Sequence, residues 1–380
     1  MSETRSFRVA LLGAGIFARE SHLPAILDVP SFTLAAVYSR SYHSASTLAS
    51  DSSLASHHQI DVYSDDSNSS AKGSLDDLLA RSDIDLVVLA LPILTQPSVI
   101  RKAWKAGKGV ISEKPVASTV EEAKGLVEEY EKQYRPKGVG WIIAEQYPFE
   151  ASFARARELV GQGEIGQIKA FKLDFFGFVE ADSKYNNTEW RKKPEYQGGY
   201  IQDGGVHFLA GMRTVLSAQN IDITSISAVA SSIQSHLPPV DIVTGSVATS
   251  VPGVTGTIII SFGIQGLDTK TAIFIGETGS IIVDFGVRPN LVKVYRSAAH
   301  IGGQGTELVE KHQSEGVKQE FKAFAEAFGK GMDSEKWRLV EKKSGPRATL
   351  RDLALVEAAI KSQGEKVDLK ELGGSNIWAL

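Results

Sequence analysis

A lysine stands between an acid and a proline where a buried strand is predicted to end. The short apolar run Gly109-Val110-Ile111 leads into the tripeptide Glu113-Lys114-Pro115. Lysine is costly to bury and usually lies in water, and the proline fixes the backbone just after it. Ligands of open parallel sheets bind at the carboxyl ends of the strands. Lys114 is therefore a candidate for proton chemistry.

A glycine-rich stretch, residues 198–207, carries two further groups that can exchange protons, Asp203 and His207. They stand four residues apart at the start of a predicted helical segment, residues 206–216. If the helix has begun by Asp203, both side chains share one face, and the glycines leave room for a ligand. Taken singly, Asp203 is well explained as an N-cap, and a single histidine such as His207 is more often a satisfied core residue than a catalytic one. Together with Lys114 they form a candidate catalytic set.

The glycine-rich turn Gly13-Ala14-Gly15-Ile16-Phe17-Ala18 fits the pattern G-x-G-x-x-G/A. It follows a predicted strand and precedes a helix. The first glycine permits a tight turn, the second lets the backbone approach a pyrophosphate, and the small last residue lets the helix pack on the strand. A plain tight turn would also need glycine. The succession of strands behind this turn favours dinucleotide binding, with Gly13, Gly15, Ile16 and Phe17 as cofactor residues.

The end of the second predicted strand bears on the choice of cofactor. An NAD site has Asp or Glu there, which accepts hydrogen bonds from the ribose hydroxyls. Here the residues are Tyr38-Ser39-Arg40-Ser41, an arginine with flanking hydroxyls. This favours the 2′-phosphate of NADP(H), recognised by Arg40 and Ser39. The alternative is that Arg40 is a solvated surface charge.

The elements up to residue 144 alternate between apolar strands and helices. Strands are predicted at residues 9–12, 33–38, 60–63, 86–91, 109–112 and 139–144. Alternation of this kind predicts a parallel, doubly wound Rossmann sheet.

After residue 144 the pattern changes. A helix at residues 149–161 is followed by stretches in which apolar and polar residues alternate, which predicts strands with one solvated face. They lie at residues 168–175, 223–233, 246–262, 272–285 and 291–295, and helices are predicted at 317–329 and 349–363. The second part is therefore an α+β domain with a large, mostly antiparallel open sheet. We predict a cofactor domain at residues 1–140 and a substrate-binding and oligomerisation domain at 141–380.

The composition excludes several classes of protein. The chain has 380 residues, a net charge of −4 and no cysteine. The charge gives no reason to expect nucleic acid or an anionic membrane as partner, and the lack of cysteine excludes thiolate chemistry and Cys-ligated zinc. We expect no metal, no membrane span and a cytoplasmic location.

These motifs together resemble the Gfo/Idh/MocA oxidoreductases, named for glucose–fructose oxidoreductase and inositol dehydrogenase. The resemblance rests on the turn at Gly13, Leu91-Pro92 after the fourth strand, Ala106-Gly107-Lys108 before the fifth, Glu113-Lys114-Pro115, and the D-x-x-x-H spacing of Asp203 and His207. It spans nearly the whole chain. Trp190-Arg191 and Gly204-Gly205-Val206-His207 look closest to a fungal NADP-dependent branch.

The resemblance implies a role for each catalytic candidate. Lys114 would bind the substrate oxygen and the nicotinamide ribose, and His207 would move the proton, oriented by Asp203. Leu91 and Pro92 would join the cofactor site. Glu113 either hydrogen-bonds the nicotinamide or shapes the turn.

The chain departs from the family pattern at three places. Ile93 and Gln96 stand where the family often has Asn and His, and Gln146-Tyr147-Pro148 replaces Asn-x-Arg. These changes affect the inference of a substrate and leave the proton-transfer groups intact.

The sequence thus predicts an NADP(H)-dependent dehydrogenase or reductase. The reaction would transfer hydride between the nicotinamide and a carbonyl or hydroxyl carbon of a sugar, polyol, dihydrodiol, aldehyde or ketone. The substrate would contact Lys114, Tyr147, Trp190, Arg191 and His207. The alternative is a catalytically weak NADP-binding regulator or sensor with the same fold. An exposed face of the second sheet would need a partner, so we expect a homodimer.

Overall fold

A computed structural model describes residues 5–54, 59–66, 70–297 and 306–373. The chain divides into two compact units. The first comprises Met1–Ser118, Gly125–Glu145 and Val317–Ala348, and the second comprises Thr119–Lys124, Gln146–Gly316 and Thr349–Leu380. The sequence-based division at residue 140 has a single boundary and does not include the return of residues 317–348 to the first unit.

The first unit contains a parallel six-stranded sheet with the order β3-β2-β1-β4-β5-β6. Its strands are β1 (Phe7–Leu12), β2 (Phe32–Ser39), β3 (Asp61–Ser64), β4 (Leu86–Leu89), β5 (Gly109–Glu113) and β6 (Trp141–Ala144). The core strands read as continuous apolar runs because both of their faces are buried, as in β4 and β6. The predicted doubly wound fold is confirmed.

Helices follow the strands of this sheet in the order that the sequence predicts. They are α1 (Leu23–Leu27), α2 (Tyr42–Ala49), α3 (Leu75–Leu79), α4 (Gln96–Lys105) and α5 (Val120–Glu129). Ser74 caps α3 through a reciprocal capping box with Asp77, as the Ser-x-x-Asp spacing indicates. Gly107 follows α4 with φ +72°, the left-handed conformation of a helix end.

Two later helices complete the first unit, α9 (Gly316–Lys330) and α10 (Glu335–Ser344). The ring of Phe328 packs on Phe7 at 6.2 Å and on Trp337 at 5.2 Å. A Cβ at Gly140 would lie 2.6 Å from Phe328, so the sheet approaches these rings closely. An apolar helix face does not specify which sheet it will cover, and this return is therefore invisible in the sequence.

The second unit is built on a nine-stranded sheet, counted among the described residues, with the order β14-β13-β12-β11-β7-β10-β9-β8-β15. Its strands are β7 (Ile168–Phe176), β8 (Ile223–Ser231), β9 (Ile242–Thr249), β10 (Thr255–Ser261), β11 (Lys270–Gly276), β12 (Gly279–Asp284), β13 (Asn290–Arg296), β14 (Thr306–His312) and β15 (Lys366–Asp368). The pairing is antiparallel except between β7 and β10. The prediction of a mostly antiparallel sheet is confirmed.

Some strand limits differ from the prediction. The segments predicted at 246–262 and 272–285 each contain two strands, and β14 and β15 were not predicted. Gly253, with φ +81°, turns the chain inside the first segment, where the alternation of apolar residues hides the break. Strand β14 carries too many charged residues to read as a strand.

The second unit also contains the helices α6 (Ala151–Gly161), α7 (Glu189–Lys192), α8 (Gly199–Leu216), α11 (Pro346–Lys361) and α12 (Leu369–Gly373). Phe153 of α6, Met212 of α8 and Val356 of α11 join the apolar core on the strands. In the described part of the chain, no helix is long and apolar enough to cross a membrane.

Candidate active site

The glycine turn is held by backbone contacts to two neighbouring strands. The Gly13 amide donates to the Tyr38 carbonyl at 2.8 Å. Gly13 has φ +115°, and a Cβ there would lie 2.2 Å from the Ala90 carbonyl oxygen. No other residue fits this backbone. The turn therefore joins the ends of β1, β2 and β4.

The second glycine of the turn has a different surrounding. A Cβ at Gly15 would meet no heavy atom within 4 Å. From Ile16 the chain is helical, through a π-helical turn over Ala18–His22 into α1. Pro24 follows that turn and has no N–H to continue the helical hydrogen bonds. An open backbone directly before a helix is what a pyrophosphate needs, so the turn fits a dinucleotide.

Arg40 is exposed directly after β2. Its charge acts on the Tyr38 hydroxyl and opposes an increase in the pKa of Tyr38, which burial and the hydrogen bond to Asp65 cause. Ser39 is half-buried and pairs in register with Ser64 of β3. Both candidate 2′-phosphate residues therefore lie at the edge where β2 ends.

Two acids that the sequence analysis did not identify lie at this same edge. Asp65 accepts from the Tyr38 hydroxyl at 2.6 Å and from the Leu75 amide at 3.0 Å. Asp66 accepts from the Tyr42 amide at 2.6 Å. They follow β3, and the neighbouring positions of β2 and β3 bring them here. Asp65 thus accepts from the first residue of α3 and Asp66 from the first residue of α2, and these hydrogen bonds hold both carboxylates in place.

The residues after β4 form a buried support. Thr95 and Gln96 both donate through their amides to the Pro92 carbonyl, at 2.9 and 3.3 Å. Ile93 is buried, and the fully buried Gln96 donates through Nε2 to the Pro115 carbonyl at 3.0 Å. Two of the three departures from the family pattern thus act in packing and support.

The turn at Lys114 begins where β5 ends, at Glu113. Glu113 Oε2 accepts from the Lys114 amide at 3.1 Å. Glu113 Oε1 lies 2.7 Å from Nε2 of His22, a buried side chain that sequence analysis missed. Of the two roles open for Glu113, these contacts are those of a residue that shapes the turn.

In the second unit, Asp203 and His207 both lie within α8. The helix begins at Gly199, seven residues earlier than predicted, so the condition for a shared face is met. The glycines beside Asp203 were predicted to leave room for a ligand, but their surroundings show a packing role. A Cβ at Gly204 would lie 2.6 Å from the Phe262 ring, and one at Gly205 would lie 3.5 Å from Ile260. They let α8 pack closely on the sheet.

Arg191 holds the carboxylate of Asp203. Its Nε donates to Asp203 Oδ2 at 2.9 Å, and the two side chains are 17% and 12% exposed. The guanidinium lies over the Trp190 ring at 3.9 Å and near the Tyr185 ring at 5.5 Å. Stacking of this kind suits arginine and not lysine. Two predicted substrate residues, Trp190 and Arg191, thus form a support for Asp203.

The charges of Arg191 and Asp203 also affect the pKa of the neighbouring Tyr200. Burial raises the pKa of Tyr200 to about 12, while the charge of Arg191 lowers it and that of Asp203 raises it. The Tyr200 hydroxyl lies 3.4 Å from Asn186 Oδ1. The raised pKa keeps the Tyr200 hydroxyl protonated, so it can donate a hydrogen bond.

His207 stacks on Tyr147, with ring centroids 5.2 Å apart and an angle of 20°. Tyr147 opens a 3-10 turn, Tyr147–Phe149, whose Pro148 is buried. It also contacts the rings of Phe153, Phe208 and Phe285. The third departure from the family pattern thus supplies an aromatic support for the imidazole.

Comparison with known proteins decides the family. The pattern of the oxidoreductase family with an NAD-binding Rossmann fold matches residues 7–140, and the GFO/IDH/MocA C-terminal domain matches residues 153–282. The chain belongs to the Gfo/Idh/MocA oxidoreductase family. It is 39% identical over 354 residues to the dehydrogenase FPY6 of the fungus Fusarium mangiferae, which covers 93% of this chain and 95% of the relative. The predicted resemblance to a fungal branch of the family is thereby confirmed.

Solved structures of other oxidoreductases have a similar fold. An oxidoreductase from Thermotoga maritima superposes with a TM-score of 0.78 at 30% identity, over 97% of this chain and 100% of that one. The 3-ketoreductase KijD10 of Actinomadura kijaniata, in complex with TDP-benzene and NADP, has a TM-score of 0.69 at 20% identity, over 94% and 98%. At that identity the likeness concerns the fold alone. The chain is an oxidoreductase with an NAD(P)-binding Rossmann fold.

Proposed function

We propose that this protein is an NADP(H)-dependent dehydrogenase or reductase that acts on a CH–OH or carbonyl carbon of a small polar substrate. The observation that carries the proposal is the turn at Lys114. Glu113 holds the Lys114 amide and Gln96 holds the Pro115 carbonyl. The turn ends a strand of the sheet that also bears the Gly13 turn.

The cofactor would be held by the residues at the carboxyl edge of that sheet. They are Gly13, Gly15, Ile16, Phe17, Ser39, Arg40, Leu91, Pro92, Glu113 and Lys114. NADPH, when bound, supplies a hydride from its nicotinamide ring. The exposed Arg40, a cation directly after β2, supports a 2′-phosphate rather than free ribose hydroxyls.

Lys114 and His207 would handle charge and proton on the substrate oxygen. Negative charge develops on that oxygen as the carbonyl carbon is reduced, and the Lys114 ammonium stabilises it. His207 then gives the proton, and in oxidation the same groups take it back. Asp203 orients the imidazole, and Arg191 fixes Asp203.

The proposed substrate class rests on side chains of the second unit. Besides supporting Asp203 and His207, Tyr147, Trp190 and Arg191 would offer a substrate aromatic faces and hydrogen-bonding groups, which suits a sugar, polyol, dihydrodiol, or polar aldehyde or ketone. The fungal relative that is named a dehydrogenase supports this reaction class.

NADPH oxidation with a panel of sugars, aldehydes and ketones tests the proposal. We expect turnover with at least one hydroxylated carbonyl compound, and its loss in Lys114→Ala. Tight NADPH binding without turnover on any compound would contradict it and would indicate a cofactor-binding regulator or sensor of the same fold.

We also propose that the chain forms a homodimer through the open face of the second sheet. That face exposes Val229, Ile275 and Val309, which are 57%, 45% and 47% accessible. At its centre Lys172 pairs with Asp174 at 2.7 Å, while Asp174 Oδ1 is buried without a hydrogen-bond partner among the described residues. A second copy would cover the apolar residues and offer a donor to that oxygen. Light scattering should show a dimer, and Ile275→Glu should yield monomer; a wild-type monomer contradicts this assembly.

A further inference from the structure

His22 is a buried, hydrogen-bonding side chain to which the proposed reaction gives no role. It closes the π-helical turn after the Gly13 turn and is 0% exposed. Nε2 lies 2.7 Å from Glu113 Oε1, while Nδ1 is buried without a hydrogen-bond partner among the described residues. A proton on Nδ1 would be an unpaired buried donor. The contacts therefore assign the proton to Nε2, which donates to Glu113.

Glu113 links His22 to the catalytic candidate, Lys114. One carboxylate oxygen accepts from His22, and the other accepts from the Lys114 amide at 3.1 Å. The Glu113 side chain is 12% exposed. Because both of its oxygens are engaged, the orientation of the carboxylate depends on His22, and the Lys114 backbone depends on the carboxylate.

The other side of His22 faces the predicted cofactor turn. The Phe17 ring meets the imidazole edge-on, with centroids 5.0 Å apart and an angle of 85°. Phe321 of α9 packs against it at 5.3 Å. Contacts therefore run without a gap from Phe17 through His22 and Glu113 to the Lys114 amide, all within the first unit.

We propose that His22 and Glu113 are positioning residues that hold the Lys114 backbone in register with the cofactor turn. They act through Lys114 and do not touch the substrate. This inference rests on the proposed function for its catalytic consequence. The hydrogen bonds that it invokes can be measured without any substrate.

The test compares three variants of His22. Gln places an N–H near the position of His Nε2, whereas Asn and Phe do not. Hydrogen exchange of the Lys114 amide, read by mass spectrometry with residue resolution, should be roughly ten- to a hundredfold faster in His22→Phe and His22→Asn, the range expected for a lost hydrogen bond to a charged group. His22→Gln should restore most of the protection. The Gln and Asn variants differ by one methylene. If the Phe variant fails to fold, comparing these two still shows whether an N–H at the position of His Nε2 protects the Lys114 amide.

His236→Phe is the matched control, because His236 Nε2 bonds to a carbonyl, that of Val179, in the second unit. It should leave Lys114 exchange unchanged. With an active substrate, His22→Asn should lower kcat roughly tenfold or more, as misplacement of a reacting group does, with a smaller change in the KM for NADPH. Unchanged Lys114 exchange in folded His22→Asn would overturn the inference. An inactive wild type would overturn the proposed function instead and leave the exchange result valid.

Discussion

The two units position their proton-handling residues in different ways. In the first unit Glu113 accepts a hydrogen bond from the backbone amide of Lys114, and Gly13 joins three strands through its own backbone. In the second unit Arg191 forms an ion pair with the side chain of Asp203, and Tyr147 stacks on His207. The candidate residues of the first unit are thus supported through main-chain contacts, and those of the second unit through stacked side chains.

This difference predicts different responses to mutation. A backbone contact fixes where a residue stands but leaves its side chain free to move toward a ligand, which suits a long lysine. A stacked guanidinium or imidazole has a fixed orientation. This suits Asp203 and His207, because groups that exchange a proton must meet in one geometry. Substitutions among the cofactor-turn residues of the first unit should therefore disturb binding and folding, and substitutions among the side chains that support Asp203 and His207 should disturb the chemical step.

The largest effect should come from the reacting groups themselves. Lys114→Ala and His207→Ala should each lower turnover at least roughly a hundredfold, in line with general acid–base contributions. Steady-state kinetics measure this, and Lys105→Ala, at an exposed lysine, is the matched control. Near-wild-type rates in both variants would remove these residues from the mechanism.

Arg40 should matter for cofactor binding and little for the chemical step. Arg40→Asp should weaken NADPH binding roughly ten- to over a hundredfold, since a charge-assisted contact contributes about 1.5–3 kcal/mol. Fluorescence titration with NADPH and NADH measures the effect, and NADH affinity should not fall with it. An unchanged affinity for NADPH would exclude Arg40 from the 2′-phosphate site.

The two glycines of the cofactor turn should separate folding from binding. Gly13→Ala forces a Cβ onto the Ala90 carbonyl at a positive φ, which should destabilise the protein by about 2 kcal/mol or more. Gly15→Ala meets no atom, so its Tm should stay while its NADPH affinity falls. Thermal unfolding of both variants with and without NADPH measures these effects. An equal loss of Tm in Gly13→Ala and Gly15→Ala would contradict the different roles given to the two glycines.

Arg191 offers the corresponding test in the second unit. Arg191→Leu removes the donor to Asp203 and should lower kcat/KM roughly tenfold, the lower end for a hydrogen bond to a charged group. Arg191→Lys should recover only part of this, because an ammonium lacks the planar stack on Trp190. If the loss appeared in KM alone, Arg191 would be a substrate contact, as the sequence suggested, and not a support for Asp203.

The smallest effect concerns acid stability of the second unit. A hydrogen bond from Arg155 lowers the pKa of Glu310. A lowered acid pKa stabilises the fold above the unfolded-state value, about 4.3, and this contribution is lost as the pH falls through the folded-state pKa. Arg155→Met should therefore reduce stability by about 1 kcal/mol at neutral pH and progressively less below pH ~4. Urea unfolding at several pH values measures it, and a loss independent of pH would point to packing.

The predictable parts of the molecule are those that depend on local pattern. The apolar runs around Val88 and Ile111 indicate buried parallel strands, and the glycine spacing after Leu12 indicates the cofactor turn. Lys114 follows from its place at a strand end. The early start of α8 could not be predicted, because glycine disfavours a helix, and the Phe262 ring against Gly204 and the Ile260 side chain against Gly205 are known only from the fold.

Other features depend on which elements become neighbours. Asp65 and Asp66 reach the end of β2 only because β3 pairs with β2. His22 and Glu113 are 91 residues apart in sequence, and no local signal links them. The sequence therefore identifies the reacting groups more readily than the residues that hold them.

Transfer of deuterium tests the central claim most directly. Wild-type protein would be incubated with C4-deuterated NADPH, in separate reactions with either label position, and the panel of hydroxylated carbonyl compounds, followed by mass spectrometry of the products. We predict deuterium on the former carbonyl carbon with one of the two label positions, and its absence with Lys114→Ala. Consumption of no compound, or products without deuterium from either form, would contradict hydride transfer by this protein.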